Sequence, residues 1–213
     1  MLEAMVAGVD DPAALADMAR GRLREKTEAL QAALQGKVGD HQRTLLRSLL
    51  RHLDFLDAEI AGLDEEVATR LRPFEEAIER LDEIPGVGRR TGEDILAEIG
   101  TDMARFPTAE HLASWAKVCP GNNESAGKRR AGSTGHGNPW LRPVLVQAAQ
   151  AAAHTKGTYL AAQYHRLAGR RGAKRAIMAV AHTILVIIYH MLRRGTRYQD
   201  LGGNYFDERN KQR

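Results

Sequence analysis

One loop of this chain concentrates hydroxyl, cationic and glycine residues, which are the residue types that can bind a negatively charged ligand at close range. The stretch "NNESAGKRRAGSTGHGNPWLRP" occupies residues 122–143. It supplies the hydroxyls and cations Ser125, Lys128, Arg129, Arg130 and Ser133. The glycines between them allow a backbone or a ligand to approach closely. The stretch has almost no apolar content, so it cannot fold by itself and depends on neighbouring elements.

The loop is predicted to lie between two helices. Before it, "FPTAEHLASWAKVC" predicts a helix with Thr108 at its N-cap and apolar residues on one side. After it, Asn138 is expected to cap a second helix, with Pro139 at the first helical position. Arg142 would then project from the first turn of that helix, close to the cations of the loop.

A second candidate site lies at residues 81–100, "LDEIPGVGRRTGEDILAEIG". This stretch resembles a helix-hairpin-helix motif, in which Gly86 and Gly88 permit a tight turn and expose backbone N–H groups. Those groups and the positive end of the following helix can hold one phosphate without reading its base. Arg89 and Arg90 would add charge. Hairpins of this kind also serve purely as packing units, and this alternative stays open.

A third basic stretch, "GRRGAKR" at residues 169–175, precedes an apolar helix. Its cations are Arg170, Arg171, Lys174 and Arg175. A solvated helix start would explain them without any ligand. Four cations within six residues nevertheless fit a contact with a phosphate backbone better.

Charge and composition limit the class of protein. Residues 1–102 hold 13 Lys and Arg against 22 Asp and Glu, a net −9, whereas residues 103–213 hold 18 against 5, a net +13. Such a basic half predicts a polyanionic partner, and nucleic acid is the commonest one. Aromatics make up only 5% of the 213 residues while Leu and Ala dominate the apolar set, which favours an all-α fold. The single Cys119 excludes an internal disulfide.

The elements that must position these sites are predicted to be helices in three regions: a helical hairpin or coiled-coil arm at 1–83, a compact helical domain at 84–201, and a polar tail at 202–213. The first arm would begin at Pro12, capped by Asp10 or Asp11. The second would reach on the order of 60 Å, with Pro73 kinking or dividing it. Its seam is a heptad series at Leu46, Leu53, Ile60, Val67, Phe74 and Leu81, beside a second series at Leu49, Leu56 and Leu63. An ordinary two-helix piece of a bundle is the alternative to an oligomerisation arm.

The most apolar stretch, "AIMAVAHTILVIIYHML" at residues 176–192, is short of a full membrane span and contains His182 and Thr183. It is therefore predicted to be a buried core helix, and no membrane partner is expected. The histidines lack the spacing of metal ligands. No metal or other cofactor is predicted in this chain.

The linked motifs together resemble a known family. The stretches that carry the likeness are "IPGVGRRTGEDILAEIG", "FPTAEHLASWAKVCPG", "SAGKRRAGSTGHGNPWLRPVLVQAA" and "YHMLRRGTRYQDL". They resemble the C-terminal transposase domain of the insertion-sequence-110-type transposases (the 116/110/902 group), which are bridge-RNA-guided serine recombinases. The likeness covers roughly residues 80–201, and the preceding coiled coil also suits that family.

The resemblance implies a serine that attacks a DNA phosphodiester and forms a covalent 5′-phosphoserine intermediate. By its position this serine should be Ser125, with Ser133 as the competing candidate. A hydroxyl is a poor nucleophile by itself, so it needs a base or a metal nearby and cations that stabilise the transition state. The resemblance further implies DNA, a structured guide RNA and copies of the same chain as partners. The implied location is the cytoplasm of a bacterial or archaeal cell, at the nucleoid.

The sequence departs from this family in one respect. Family members carry, ahead of the coiled coil, a nuclease-like domain whose four acidic residues bind magnesium, and nothing in the 213 residues corresponds to it. Magnesium is therefore expected in that other domain, and the chain is expected to be inactive alone. Two alternatives remain: a non-catalytic remnant that binds nucleic acid, and a coiled-coil interaction protein with a basic domain.

Overall fold

The computed structural model of the chain describes residues 1–36, 38–119, 124–125, 127–129, 135 and 137–211, and at 124, 125, 128 and 129 it describes the backbone. Helices dominate these ranges, which confirms the prediction of an all-α fold. The α-helices are α1 Leu2–Val6, α2 Pro12–Asp17, α3 Thr27–Ala33, α4 Asp40–Leu71, α5 Glu75–Asp82, α6 Arg89–Ile99, α7 Ala109–Trp115, α8 Leu141–His154, α9 Tyr159–Arg171, α10 Ala173–Arg194 and α11 Tyr205–Lys211. Short 3-10 turns occupy Gly21–Lys26, Arg72–Phe74 and Met103–Arg105, and the two-residue strands are β1 Glu124–Ser125 and β2 Lys128–Arg129.

The chain divides into two compact units, Met1–Arg70 and Leu71–Arg213. In the first unit, the predicted first arm is not one continuous helix. Asp11 caps α2 by accepting hydrogen bonds from the backbone N–H groups of Ala13 and Ala14, with Pro12 at the first position, as expected. The helix then ends at Asp17, and Gly21 turns the chain with a φ of +58°. Any residue other than glycine would be strained at that φ. The chain therefore leaves the helical conformation at Gly21, although the apolar spacing of the sequence continues beyond it.

Helix α4 is the long helix of the predicted arm. Its 32 residues correspond to about 48 Å, shorter than expected because the helix ends at Leu71 and a 3-10 turn containing Pro73 follows. The predicted interruption at Pro73 is thus confirmed. None of the residues of α4 is buried. The apolar side chains Leu49, Leu53, Leu56, Ile60 and Leu63 are between 41% and 64% exposed.

The second unit is built around α10. Its fully buried face carries Val180, Ile184, Leu185 and Ile188. Helices α7, α8 and α9 pack against this face. By length and composition, α10 is the one helix of the described residues that could cross a membrane. Its burial among three other helices favours the predicted core helix.

The C-terminal segment predicted as a polar tail contains α11, which packs on α9. The ring of Tyr159 lies 5.2 Å from that of Tyr205 and 5.3 Å from that of Phe206. The guanidinium of Arg166 sits 4.8 Å above the ring of Phe206, in cation–π geometry. Asp200 Oδ1 accepts a hydrogen bond of 3.0 Å from the Tyr159 N–H. Tyr159 and the adjacent pair Tyr205 and Phe206, more than forty residues further along the chain, therefore form one aromatic cluster.

We expect Gly86→Ala to lower the free energy of unfolding of the second unit by about 2–4 kcal/mol. Gly86 has a φ of +86°, and a Cβ there would lie 2.6 Å from Ala152 N and closer still to Ala148 O, both in the backbone of α8. Denaturant unfolding followed by tryptophan fluorescence measures the change, because both tryptophans lie in this unit.

Gly169→Ala is the matched control. Gly169 lies within α9, and no atom lies within 4 Å of a Cβ built on it. Alanine should therefore stabilise the helix by about 0.5–1 kcal/mol. Equal effects of the two substitutions would contradict the close approach of the Gly86 turn to α8.

Candidate nucleic-acid interface

The candidate hairpin motif consists of α5, a tight turn and α6. Within the turn, the Ile84 N–H donates to Leu81 O at 3.1 Å and the Val87 N–H donates to Ile84 O at 2.9 Å. The side chains of Leu81, Ile84 and Val87 are buried, whereas Gly88 is exposed directly before α6. Gly86 is required here because it approaches the backbone of α8. The arrangement is helix–turn–helix, and its assignment as a phosphate-binding hairpin stays a prediction.

Arg89, predicted to contact phosphate, is engaged by two carboxylates. Its two terminal nitrogens donate to the two oxygens of Glu75 at 2.5 and 2.8 Å, and its Nε donates to Glu93 at 3.1 Å. These hydrogen bonds lower the pKa of Glu75 and raise that of Arg89. A phosphate that binds Arg89 must therefore displace Glu75 from its two hydrogen bonds or share the guanidinium with it. Arg90, the next residue, is exposed in the first turn of α6.

The glycine-rich loop connects α7 to α8, and its two ends lie next to each other. Lys117, two residues after the end of α7, has a φ of +54°. Gly137 lies against this turn so closely that a Cβ on it would be 2.8 Å from Lys117 Cβ. The guanidinium of Arg142 donates to Gly135 O at 2.9 Å. The two ends of the loop are thus held together by contacts that need no side chain at residue 137.

Asn138 fixes the start of α8. Its Oδ1 accepts hydrogen bonds from the N–H groups of Trp140 and Leu141 at 2.8 and 2.9 Å, so Asn138 caps the turn that leads into α8, although the residue at the N-cap position itself is Trp140. Its Nδ2 donates to Glu98 on α6 at 2.5 Å. Pro139 and Trp140 form a turn, and α8 begins at Leu141, so the expectation that Pro139 opens the helix was wrong by two positions. The side-chain oxygen of Asn138 accepts the hydrogen bonds of a turn in front of the helix, so the helix itself begins after that turn.

Ser125 lies in β1, which pairs antiparallel with β2. Ser125 and Lys128 are register partners, as are Glu124 and Arg129. Gly127 lies in the connection with a φ of +73°, which favours glycine. The side chains of Ser125, Lys128 and Arg129, and the whole of Arg130 and Ser133, lie outside the described residues.

Four predicted phosphate-binding cations meet where α9 ends and α10 begins. Gly172, with a φ of +82°, joins the two helices. Arg170, Arg171 and Arg175 line one shallow depression, together with Leu167 and Ala179. Lys174 lines a neighbouring groove. All four cations are exposed. We call this set, Arg170, Arg171, Lys174 and Arg175, the α9–α10 corner, and no carboxylate of the described ranges forms an ion pair with it.

The neighbouring groove lies between α8 and α10 and holds side chains that the sequence analysis did not select. Gln147, Gln150 and His154 of α8 line one side, and Lys174 and Met178 of α10 line the other. The signal for these residues was their spacing of three to four, which places them on one face of α8. Trp140, also not selected, is 71% exposed. Its position at a helix start, between a basic loop and Arg142, is the feature of the sequence that could have indicated Trp140 as a candidate site residue.

Histidines and acidic residues form no metal centre in the part of the chain that the structure describes: no group of three or more His, Cys, Asp or Glu side chains there could hold an ion. His182 is half-buried on α10, and burial lowers its pKa. A lowered pKa keeps this imidazole neutral at pH 7. Because the described residues contain no group of side chains that could hold an ion, they do not fit the four-carboxylate magnesium site that the family resemblance places in another domain.

Comparison with known proteins relates part of the second unit to a class of transposases. Residues 78–166 match the model of the Transposase IS116/IS110/IS902 family. This range contains the α5–α6 turn, the glycine-rich loop and α8, while the α9–α10 corner lies just beyond it. The match supports the transposase family for this part of the chain.

Individual relatives agree with that class. The transposase for insertion sequence element IS1111A of Coxiella burnetii is 28% identical over 192 residues, which are 85% of this chain and 51% of that protein. A putative transposase y4pF/y4sB of Sinorhizobium fredii is 29% identical over 153 residues, 70% of this chain and 39% of the relative. The insertion element IS110 uncharacterized 43.6 kDa protein of Streptomyces coelicolor is 31% identical over 121 residues, 56% and 29% of the two chains. The chain thus spans about half the length, or less, of these relatives.

We expect Glu75→Gln to change the acid dependence of stability. Because the folded pKa of Glu75 is lowered by Arg89, its ion pair stabilises the folded chain above the ordinary value of 4.5 and is lost as the pH falls through the lowered pKa. The difference in unfolding free energy between the wild type and Glu75→Gln should therefore be constant near neutral pH and shrink below pH 4.5. Urea unfolding at a series of pH values measures it.

Glu79→Gln is the control, since Glu79 is exposed on the same helix and forms no ion pair with the described residues. A Glu79 variant with the same pH profile as the Glu75 variant would show that general charge, not the pair with Arg89, sets the acid dependence.

Proposed function

We propose that this chain is the C-terminal part of an insertion-sequence transposase that binds DNA and a guide RNA and supplies Ser125 as the nucleophile for strand cleavage and exchange. The observation that carries the proposal is the construction of the loop within the matched residues. Its ends meet where Gly137 lies against Lys117, Asn138 ties the second end to Glu98 of α6, and its two strands make Ser125 the register partner of Lys128. A rigid base of this kind supports a reactive group on a loop that has no core of its own.

The proposed reaction is a transesterification. Ser125 Oγ loses its proton to a base and forms a bond to the phosphorus of a DNA phosphodiester. The bond from phosphorus to the 3′ oxygen breaks, and that oxygen takes up a proton. The products are a 5′-phosphoserine and a free 3′ hydroxyl, so the energy of the phosphodiester is kept for rejoining to another strand. No step is assigned to magnesium, because the described residues do not fit a site for it.

The cations of the loop would stabilise the reaction. A phosphoryl transition state carries negative charge on its non-bridging oxygens, and fixed cations bind that charge most strongly in a site that excludes water. Lys128, Arg129 and Arg130 belong to the loop. Arg142 lies at its base, where its guanidinium is oriented by Gly135 O.

The α9–α10 corner would hold the nucleic-acid backbone. Its four cations are exposed at the end of one helix and the start of the next. Without carboxylate partners among the described residues, they can each neutralise a phosphate without first breaking an ion pair. This contrasts with Arg89, whose guanidinium is engaged by Glu75 and Glu93. We therefore rank the corner above the α5–α6 turn as the principal backbone contact.

A guide RNA and self-association complete the proposal. The candidate phosphate contacts address backbone charge, so specificity for a DNA target would come from base pairing with an RNA. The exposed apolar seam of α4 is the surface for association with other copies of the chain, since heptad spacing buries such a seam in a coiled coil. The proposed location is the bacterial or archaeal cytoplasm, at the nucleoid, without a membrane partner.

A non-catalytic role is the second candidate. The α9–α10 corner alone is sufficient for binding nucleic acid, whatever the chemistry of Ser125. A third role, a coiled-coil interaction protein whose basic domain binds an acidic protein, is favoured by the exposed seam of α4.

Replacement of Ser125 by alanine tests the catalytic proposal. Because the chain is expected to be inactive alone, it is co-expressed with the acidic nuclease-like domain of a relative. The cells are lysed in denaturant, and DNA covalently bound to the protein is isolated and counted. Wild-type chain should carry DNA through a bond that survives denaturation, and Ser125→Ala should lose it completely while still binding nucleic acid under native conditions. The physical reason is that alanine has no oxygen with which to attack the phosphorus.

Ser133→Ala is the matched control, because it removes the competing hydroxyl from the same loop. It should keep the adduct. Loss of the adduct in the Ser133 variant alone would transfer the nucleophile to Ser133. A wild-type chain without any adduct would leave nucleic-acid binding as the supported function.

Salt dependence separates nucleic-acid binding from binding of an acidic protein. The affinity for a DNA duplex should fall linearly on a log–log plot against salt, with a slope set by the number of phosphates neutralised. The double variant Arg170→Gln, Arg171→Gln should reduce this slope by about one for each phosphate that is no longer neutralised. Fluorescence anisotropy of a labelled duplex at several salt concentrations measures both slopes.

The double variant Arg72→Gln, Arg105→Gln removes the same charge from exposed positions of the same unit outside the corner. It should leave the slope almost unchanged. Equal slopes for all three proteins would contradict the assignment of the α9–α10 corner.

A further inference from the structure

Trp140 is the most exposed large apolar side chain in the described part of the chain. It is 71% exposed, whereas Trp115 is 43% exposed and packs against Phe106 with 5.6 Å between ring centroids. Tryptophan is normally highly buried, because its indole is the largest apolar side chain. An indole exposed to this extent offers a flat apolar face to a ligand.

The backbone of Trp140 is fixed although its side chain is exposed. Its N–H donates to Asn138 Oδ1 at 2.8 Å, and Asn138 is in turn bonded to Glu98 of α6. The next residue, Leu141, is fully buried and anchors the first turn of α8 in the core. The backbone that carries the indole is thus fixed, so a ligand that covers it must order the side chain but not the backbone.

The surroundings of Trp140 are cationic. Arg142 lies two residues further along α8, and its guanidinium is bonded to the glycine-rich loop at Gly135. In the sequence that loop contains three more cations, whose side chains lie outside the described residues, and residues 103–213 carry a net +13. A ligand that covers Trp140 must therefore combine negative charge with a flat apolar face. Nucleic acid has both.

We infer that Trp140 stacks on an unpaired base of the nucleic acid bound by the glycine-rich loop, an inference that rests on the proposed function. In a duplex, the faces of a base are covered by its neighbours, so an indole reaches a face only where the strands are open or at an end. Stacking on an aromatic side chain tolerates any base, because every base has a π face. Trp140 thereby provides a binding site for single-stranded segments, independent of phosphate contacts.

Two probes that differ only in their bases test this inference. The first is a thymidine oligonucleotide of about 12 nucleotides, and the second is an abasic oligonucleotide of the same length and charge. The protein is the full chain with Trp115→Phe, which leaves Trp140 as the single tryptophan. We expect the thymidine probe to quench the Trp140 emission and the abasic probe to leave it almost unchanged.

Affinity provides the second measurement. Relative to the wild type, Trp140→Leu should bind the thymidine probe roughly 5- to 150-fold more weakly, the ordinary effect of removing one stacked base. It should bind the abasic probe equally well. Leucine keeps an exposed apolar side chain but has no π face, and Trp140→Phe should restore part of the affinity. Thermal unfolding verifies that all variants fold.

The outcomes are distinct. Equal affinity of wild type and Trp140→Leu for the thymidine probe, with binding retained, would overturn the stacking role and leave the proposed function intact. Failure of both probes to bind any protein would overturn the proposed function together with this inference. A Trp140 emission that shifts to shorter wavelength with protein concentration alone would overturn the inference and assign the indole to an interface between copies of the chain.

Discussion

The burial of α10 is the interaction on which the rest of the second unit depends. Each of its fully buried Ile and Leu side chains contributes about 1.5–3 kcal/mol. Helices α7, α8 and α9 all pack on it. Since α7 and α8 carry the two ends of the glycine-rich loop, and α9 and α10 form the basic corner, the same core positions both parts of the candidate interface. By packing against its neighbours, α10 thus fixes where the basic corner and the ends of the glycine-rich loop lie on the surface.

Polar and close backbone contacts fix the local geometry at the start of α8 and at the ends of the glycine-rich loop. Asn138 joins Glu98 of α6 to the first turn of α8, and Gly137 lets the loop return within contact of the end of α7. The first contact joins two side chains, whereas the second depends on the absence of a side chain at residue 137. Trp140 is held by the same cap.

The cations of the unit fall into two groups with different physical roles. Arg89 is saturated by Glu75 and Glu93 and connects α6 to α5. Its pair with Glu75 is exposed, and exposed pairs add little to stability. The cations of the α9–α10 corner lack such partners among the described residues and retain their full charge for a polyanion. Arginines that look alike in the sequence thus differ in whether a phosphate must compete with a carboxylate.

Much of the fold and of the candidate site could be predicted from the sequence. Composition and apolar spacing predicted the all-α fold, the core helix at 176–192 and the interruption at Pro73, because these depend on local preference and on the amount of apolar surface. Residue types also predicted the caps at Asp11 and Asn138. The basic stretches were visible as charge alone.

What only the tertiary structure decided concerns contacts between distant residues. Residues 202–213 have the composition of a polar tail, yet Tyr205 and Phe206 pack on Tyr159, because a few rings that are distant in sequence leave no periodic pattern. Likewise, no local pattern could show that Arg89 meets Glu75 or that Trp140 stays exposed. The sequence by itself determined which segments are helical and where charge collects. The packing of those helices decided which charges are neutralised and which side chains remain free for a ligand, because burial and ion pairing depend on neighbours that only the folded chain brings together.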